Sequence, residues 1–163
     1  MWTGRQERRM LTAEEIKEIE VEMSQFPDRK SACLEALKTL QRHRGWISDE
    51  ALRDLSEFMN MTTAELDSVA TFYNLILRKP TARHVILLCD SVSCWVAGYE
   101  LLREYFRLKF GLVMGGSTQD QRFTLLPIVC LGACDHAPAM MIDGDLHLDL
   151  TETKIDSILE DYK

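Results

Sequence analysis

The hydrophobic period of this chain changes once, near Arg78-Lys79-Pro80, and that change limits the fold more than any other feature. Before it, apolar residues recur at helical spacing; after it, they come in short continuous or alternating runs. From Thr12 to about Tyr73 the pattern predicts four helices. Thr12-Ala-Glu-Glu15 is a capping box opening the first, which carries Ile16, Ile19 and Met23 on one face and stops before Pro27. Asp28 is placed to cap the second, which presents Leu34, Leu37 and Leu40 and ends at Gly45. Ser48 starts a third helix running through Met59. A second capping box, Thr62-Thr-Ala-Glu65, opens the fourth, whose stripe of Leu66, Val69, Ala70 and Tyr73 is expected in the core.

Beyond Pro80 the reading becomes extended. Arg83 to Leu88, "RHVILL", is a strand, and an amphipathic helix follows from about Trp95 to Lys109, ending at Gly111. Arg122 to Val129 is a second strand. "AMMID" and "LHLDL" flank Asp143-Gly144, a strong hairpin signal, and Thr151 caps a final helix to Tyr162. The fold class is therefore α+β with an α/β-like second half: a helical amino-terminal domain, then β-α-β-β-β-α, or one strand fewer if the last is short. Two strands joined by a crossover helix in one sheet form a right-handed parallel unit, so both end on the same edge. Cys89 follows the first strand and Cys130 ends the second, so their loops should converge where open α/β sheets place ligands.

Composition narrows the function classes. Apolar residues make up 46% and charged residues 28% of the chain, a globular balance. The net charge of -7 would repel a phosphate backbone, so nucleic acid is not expected as a partner. No run approaches the roughly 18 apolar residues of a membrane-spanning helix, so direct membrane insertion is not expected. MWTGRQERRM lacks an apolar segment after its arginines and reads as a loose arm, with Met10 an alternative start. With no export signal, the five cysteines are expected in a reducing compartment, where such groups point to metal or catalysis and not to structural disulfides.

Four of them form a pattern: "CDSVSC" (Cys89, Cys94), thirty-five residues, then "CLGAC" (Cys130, Cys134). Four thiolates on one sheet edge can hold a zinc ion or an iron-sulfur cluster. Structural zinc often uses tight C-x2-C knuckles, whereas a two-iron cluster spreads its sulfurs over two metals and tolerates wider loops. The spacing therefore prefers [2Fe-2S], with zinc left open. A thioredoxin-type dithiol wants C-x-x-C, which is absent. A Rieske centre needs two His ligands, and only His136 lies beside a candidate cysteine. His136 is read as a polar loop residue. A cysteine hydrolase would need a partnered base, and nothing singles out one thiol. Gly132 lets its loop turn amides toward sulfur, and the helix after Cys94 is expected to point its amino end at the same negative charge. Cys33, among Leu34, Ala36 and Leu37, is a small buried hydrophobe, and Trp46 and Trp95 are read as packing residues. No G-x-G-x-x-G follows a strand, and Gly115-Gly116 is not a P-loop, so no nucleotide site is visible.

These residues resemble a known family, the thioredoxin-like [2Fe-2S] subunit of NADH:quinone oxidoreductase, respiratory complex I, called the E subunit in bacteria. "HVILLCDSVSC" and "FTLLPIVCLGACDHAPAMMID" look like its two ligand segments, and "LKTLQRHRGWIS" and "VATFYNLIL" like its helical portion. The resemblance runs from about Thr12 to Tyr162, and the cysteine spacing is its specific part. It implies a helical domain followed by a thioredoxin-like [2Fe-2S] ferredoxin domain; with a flexible arm read over 1-11, the change of period places these at 12-79 and 80-163. It further implies that Cys89, Cys94, Cys130 and Cys134 ligate one [2Fe-2S] cluster, with no catalytic residue on this chain. NADH and FMN would bind a neighbouring flavoprotein, the F subunit in bacteria, with which this chain exchanges single electrons. Through that and other peripheral-arm subunits the chain would lie on the cytoplasmic side of the inner membrane. Related subunits serve NAD-linked hydrogenases and formate dehydrogenases with the same cysteines, and that alternative stays beside complex I.

Overall fold

A computed structural model describes residues 11-163. The chain forms two compact units, one ending at Pro80 and the other beginning at Thr81. The arm expected over 1-11 lies outside the described residues, except for Leu11, which packs partly buried on the helical core.

The first unit is four helices: α1 (Ala13–Met23), α2 (Cys33–Arg44), α3 (Asp49–Met59) and α4 (Thr63–Phe72). Both capping boxes form, with Thr12 Oγ1 accepting from the Glu15 N–H and Glu15 accepting from the Thr12 N–H at 2.7 Å, and Thr62 and Glu65 repeating the exchange. Asp28 acts one step earlier than its spacing suggested. Its carboxylate accepts from the Ser31 N–H at 3.0 Å and so braces a 3-10 turn, Lys30–Ala32, that leads into α2, whose own N-cap is Ala32. Gly45 ends α2 at φ 79°, its N–H bonded to the Gln41 carbonyl. Ile19, Leu37, Leu40, Ile47, Leu52, Leu55, Met59 and Leu66 form the buried centre, and Cys33 joins them. The fourth stripe is shorter than its period implied: Leu66 and Ala70 are buried, but Tyr73 is 44% exposed because α4 stops at Phe72 and the chain turns extended at Tyr73 itself.

The second unit is a four-stranded sheet of order β2-β1-β3-β4: β1 (His84–Cys89), β2 (Phe123–Ile128), β3 (Met140–Ile142) and β4 (Asp145–His147). β1 and β2 are parallel, and the other pairs are antiparallel. The edge position of β2 accommodates Pro127, which has no N–H to give. Asp143 and Gly144 turn between β3 and β4 with positive φ, as a primed hairpin turn requires. Alternation on β1 sends Ile86 and Leu88 into a core with Phe106, Leu125, Met140, Ile155 and Leu159. Leu87 and Cys89 face the other side, in a smaller cluster with Cys94, Ile128 and Ala139.

The crossover is not one helix. α5 (Val92–Val96) and α6 (Tyr99–Phe110) are separated at Gly98, whose φ of 114° a residue with a side chain would resist. Cys94 therefore lies within α5, and the expected helix amino end beyond it does not exist in that form. Trp95 corrects a second expectation: at 56% exposure it is no packing residue of this unit. α7 (Glu152–Asp161) is capped by Thr151 Oγ1, which accepts from the Lys154 N–H.

Candidate metal centre

The parallel register sets Cys89 opposite Ile128, so the chain leaves both strands at one edge. There the Asp90 N–H donates to the Ile128 carbonyl at 3.0 Å, holding the two exits together. The Cys89 N–H donates to the Ala139 carbonyl at 3.1 Å, which fastens the start of β3 beside the same edge. α5 begins directly after Ser91 and presents Cys94 inward, 2% exposed, next to Cys89 at 3%. Both belong to the smaller apolar cluster.

Cys130 and Cys134 occupy the second exit and are exposed. Their sulfurs are 3.8 Å apart. Gly132 between them has φ 79°, and its N–H donates to Cys130 Sγ at 3.3 Å. A Cβ at Gly132 would meet nothing within 4 Å, so it is the backbone conformation and not crowding that calls for glycine there. Cys134 opens a 3-10 turn to His136, whose ring bonds the Asp149 carboxylate at 3.0 Å. His136 is thus occupied by a loop contact, while His84 pairs with Asp143 and His147 with Tyr162.

Burial shapes the inner pair. It pushes the Cys89 thiol up, but the N–H groups of Ser91 and Leu131, together with the Cys94 side chain, outweigh it and bring Cys89 below an ordinary thiol. Burial and the neighbouring Cys89 push Cys94 up to about 11, so by itself it keeps its proton at neutral pH. A bound cation reverses that order, because coordination deprotonates a thiol outright. The donor set suits soft, thiolate-binding metals. Two sulfurs on one tetrahedral metal at a metal–sulfur distance of about 2.3 Å stand about 3.8 Å apart, which is the Cys130–Cys134 separation. The four thiols thus lie as an inner and an outer pair, with amides aimed at sulfur in both. Among the described residues, no three His, Cys, Asp or Glu side chains gather as the donor set of a single ion.

Parallel strands that deliver paired cysteines to one sheet edge suit a thiolate-bound metal centre, and the chain belongs to the thioredoxin-like [2Fe-2S] ferredoxin family, whose model matches residues 19–163. Among its relatives, the E subunit of NADH-quinone oxidoreductase from Escherichia coli (strain K12) is 44% identical over 153 residues, covering 94% of this chain and 92% of that protein. Its counterpart from Pseudomonas aeruginosa is 41% identical over 156 residues, covering 96% and 94%. A chain of an NAD+-reducing [NiFe]-hydrogenase, solved in the air-oxidised state, is similar over 77% of this chain with a TM-score of 0.65 and 29% identity. This chain spans only 22% of that hydrogenase chain.

The cysteine spacing marks all four candidate residues in the sequence. The amide donors of Ser91, Leu131 and Gly132 are less visible there, since every residue but proline carries an N–H, and only the glycine marks its loop.

Proposed function

We propose that Cys89, Cys94, Cys130 and Cys134 ligate one [2Fe-2S] cluster, and that the chain is the electron-transfer subunit of an NADH:quinone oxidoreductase. The carrying observation is the meeting of both cysteine loops at the carboxyl edge of β1 and β2. When bound, such a cluster supplies reversible one-electron chemistry. The chain's residues then have distinct tasks. Cys89 and Cys94 anchor the site from within the apolar cluster, which keeps water from that side. Cys130 and Cys134 present the other side at the surface, where a redox partner can approach. The amides of Ser91, Leu131 and Gly132 hold the negative charge that four thiolates and two sulfides bring.

The family domains follow: a helical part over 12-79 and the cluster-bearing part over 80-163. The partner is an FMN- and NADH-binding flavoprotein, the F subunit in bacteria, and the exchange with it is of single electrons. The chain lies peripherally on the cytoplasmic side of the inner membrane through the complex. No helix among the described residues is long and apolar enough to cross a membrane. The likeness to a hydrogenase chain favours one second reading, the equivalent subunit of an NAD-linked hydrogenase. Isolation of the tagged chain under gentle conditions decides between them: a flavoprotein with quinone-reductase subunits supports the first, and nickel with hydrogenase subunits supports the second.

A further inference from the structure

At the amino edge of β1 and β2, opposite the cysteines, the second unit has a surface cavity of about 620 Å³. His84 and Phe123 open the two strands side by side there, α6 ends at Phe110, and the last turn of α7 brings Leu159 and Glu160. Phe110, Phe123 and Leu159 give the cavity an apolar lining. Ligand pockets commonly enclose about 300–1,000 Å³, so this space suits a short peptide segment and exceeds what a single ion needs.

The charged groups around it differ in what they have left to offer. Lys109 Nζ donates to the Asp156 carboxylate and, at 2.9 Å, to Tyr105 Oη. Arg122 donates to the carbonyls of Leu159 and Tyr162 at the end of α7, where a cation satisfies helix carbonyls that lack partners. Its guanidinium also lies 4.7 Å from the centre of the Phe123 ring. Both cations are thus engaged by the fold. Asp120 and Glu160 line the same cavity, and neither has an ion-pair partner among the described residues. The turn that carries Asp120 is braced: Thr118 Oγ1 accepts from the Arg122 and Phe123 N–H groups, and the Asp120 carboxylate accepts from the Arg122 N–H at 3.1 Å. Three carboxylates line the cavity against two cations that are already engaged, so it favours a positively charged guest over an anion.

We infer that this cavity is a binding site for a basic peptide segment of a neighbouring protein, with an Arg or Lys stem on Phe110, Phe123 and Leu159 and the charged head at Asp120 and Glu160. Long basic side chains combine the two parts that such a lining asks for, an apolar stem and a cationic tip. A guanidinium adds a fork that matches a carboxylate, so arginine is the preferred guest. The relatives of this chain are subunits of a larger enzyme, and a neighbouring protein is therefore the source of the segment. A segment bound at the amino edge leaves Cys130 and Cys134, on the opposite edge, open to a redox partner. None of the four candidate ligands lines the cavity, so the site stands or falls separately from the proposed function.

The test is a titration of the isotope-labelled full chain with the capped tripeptide acetyl-Leu-Arg-Leu-amide, followed through backbone amide chemical shifts. Saturable shifts confined to the Thr118–Phe123 turn and the last turns of α7 are expected, with affinity falling about threefold from about 0.05 M to 0.5 M salt. The citrulline analogue, equal in shape but uncharged, should bind the parent chain about tenfold more weakly. Glu160→Gln should weaken binding of the arginine peptide about threefold, whereas Glu152→Gln, at the other end of α7, should leave it unchanged. Starting the chain at Met10 removes Arg5, Arg8 and Arg9 and should not change the affinity. A rise on that truncation would show that the chain's own basic segment competes for the cavity, and would overturn the assignment to a neighbouring protein. Equal binding of the two peptides, or shifts that grow without saturating and scatter over the surface, would overturn the site itself. The comparison of peptides on the parent chain decides the matter even if a variant fails to fold.

Discussion

Gly132 and Cys33 show how differently single residues of this chain bear on the site. Gly132 has open space at the Cβ position but a φ of 79°, so Gly132→Ala adds only backbone strain, about 1 kcal/mol. The expected outcome is a loop that holds Cys130 and its amide less firmly, read as faster loss of visible absorption when a chelator is added, with the helical content unchanged. Cys33 sits in the four-helix core, where burial pushes its thiol up and the helical unit offers it no second cysteine. Cys33→Ala should keep the full iron content and cost about 1 kcal/mol or less in a denaturant titration, whereas Cys94→Ala should abolish cluster retention. Equal iron loss in both would contradict the assignment of the ligands. These roles are legible in the sequence to different degrees. Four cysteines in two close pairs announce themselves, and Gly132 does so by lying between two of them. The exposure of Trp95 is not legible, because an indole on a short helix reads the same whether it faces a core or a partner.

At the level of elements, the capping chemistry is the most readable part of the chain, because a capping box requires only local geometry. Thr12 with Glu15 and Thr62 with Glu65 each set a helix start without help from elsewhere. What the sequence does not disclose is the second use of Glu15. Its carboxylate, 4% exposed, receives both Nε and a terminal nitrogen of Arg44, at 2.6 and 2.7 Å, tying the start of α1 to the end of α2. Arg44 holds the Glu15 carboxyl below the usual carboxylate range. A carboxylate whose folded pKa is depressed stabilises above its unfolded value, near 4.3, and that contribution fades as pH falls through the lower folded value. Glu15→Gln should therefore cost about 1–2 kcal/mol at neutral pH, and the gap in melting temperature between variant and parent should close below about pH 4. A constant gap from pH 7 to pH 3 would show that the ion pair contributes nothing. The crossover departs from its sequence pattern for a related reason. Its apolar spacing runs on past Gly98, and only the positive φ there divides it into α5 and α6 and places Cys94 inside a helix.

Over the whole molecule, the order of elements is written in the sequence more plainly than their geometry. One change of period separates helices from strands, and the parallel crossover by itself requires Cys89 and Cys130 to reach a common edge. Which thiols are buried is not in the sequence, since it depends on α5 folding back so that Cys94 meets Cys89 and Ala139. The resulting division, an apolar inner pair and an exposed outer pair in a chain of net charge -7, fits a subunit that receives a partner on its cysteine edge. Everything proposed for this edge depends on the four thiols holding one two-iron cluster. Metal and acid-labile sulfide analysis of the anaerobically purified chain, with electron spin resonance before and after dithionite, decides it. About two irons and two sulfides per chain are expected, with a signal only after reduction. A colourless chain with one zinc and no labile sulfide would contradict the assignment.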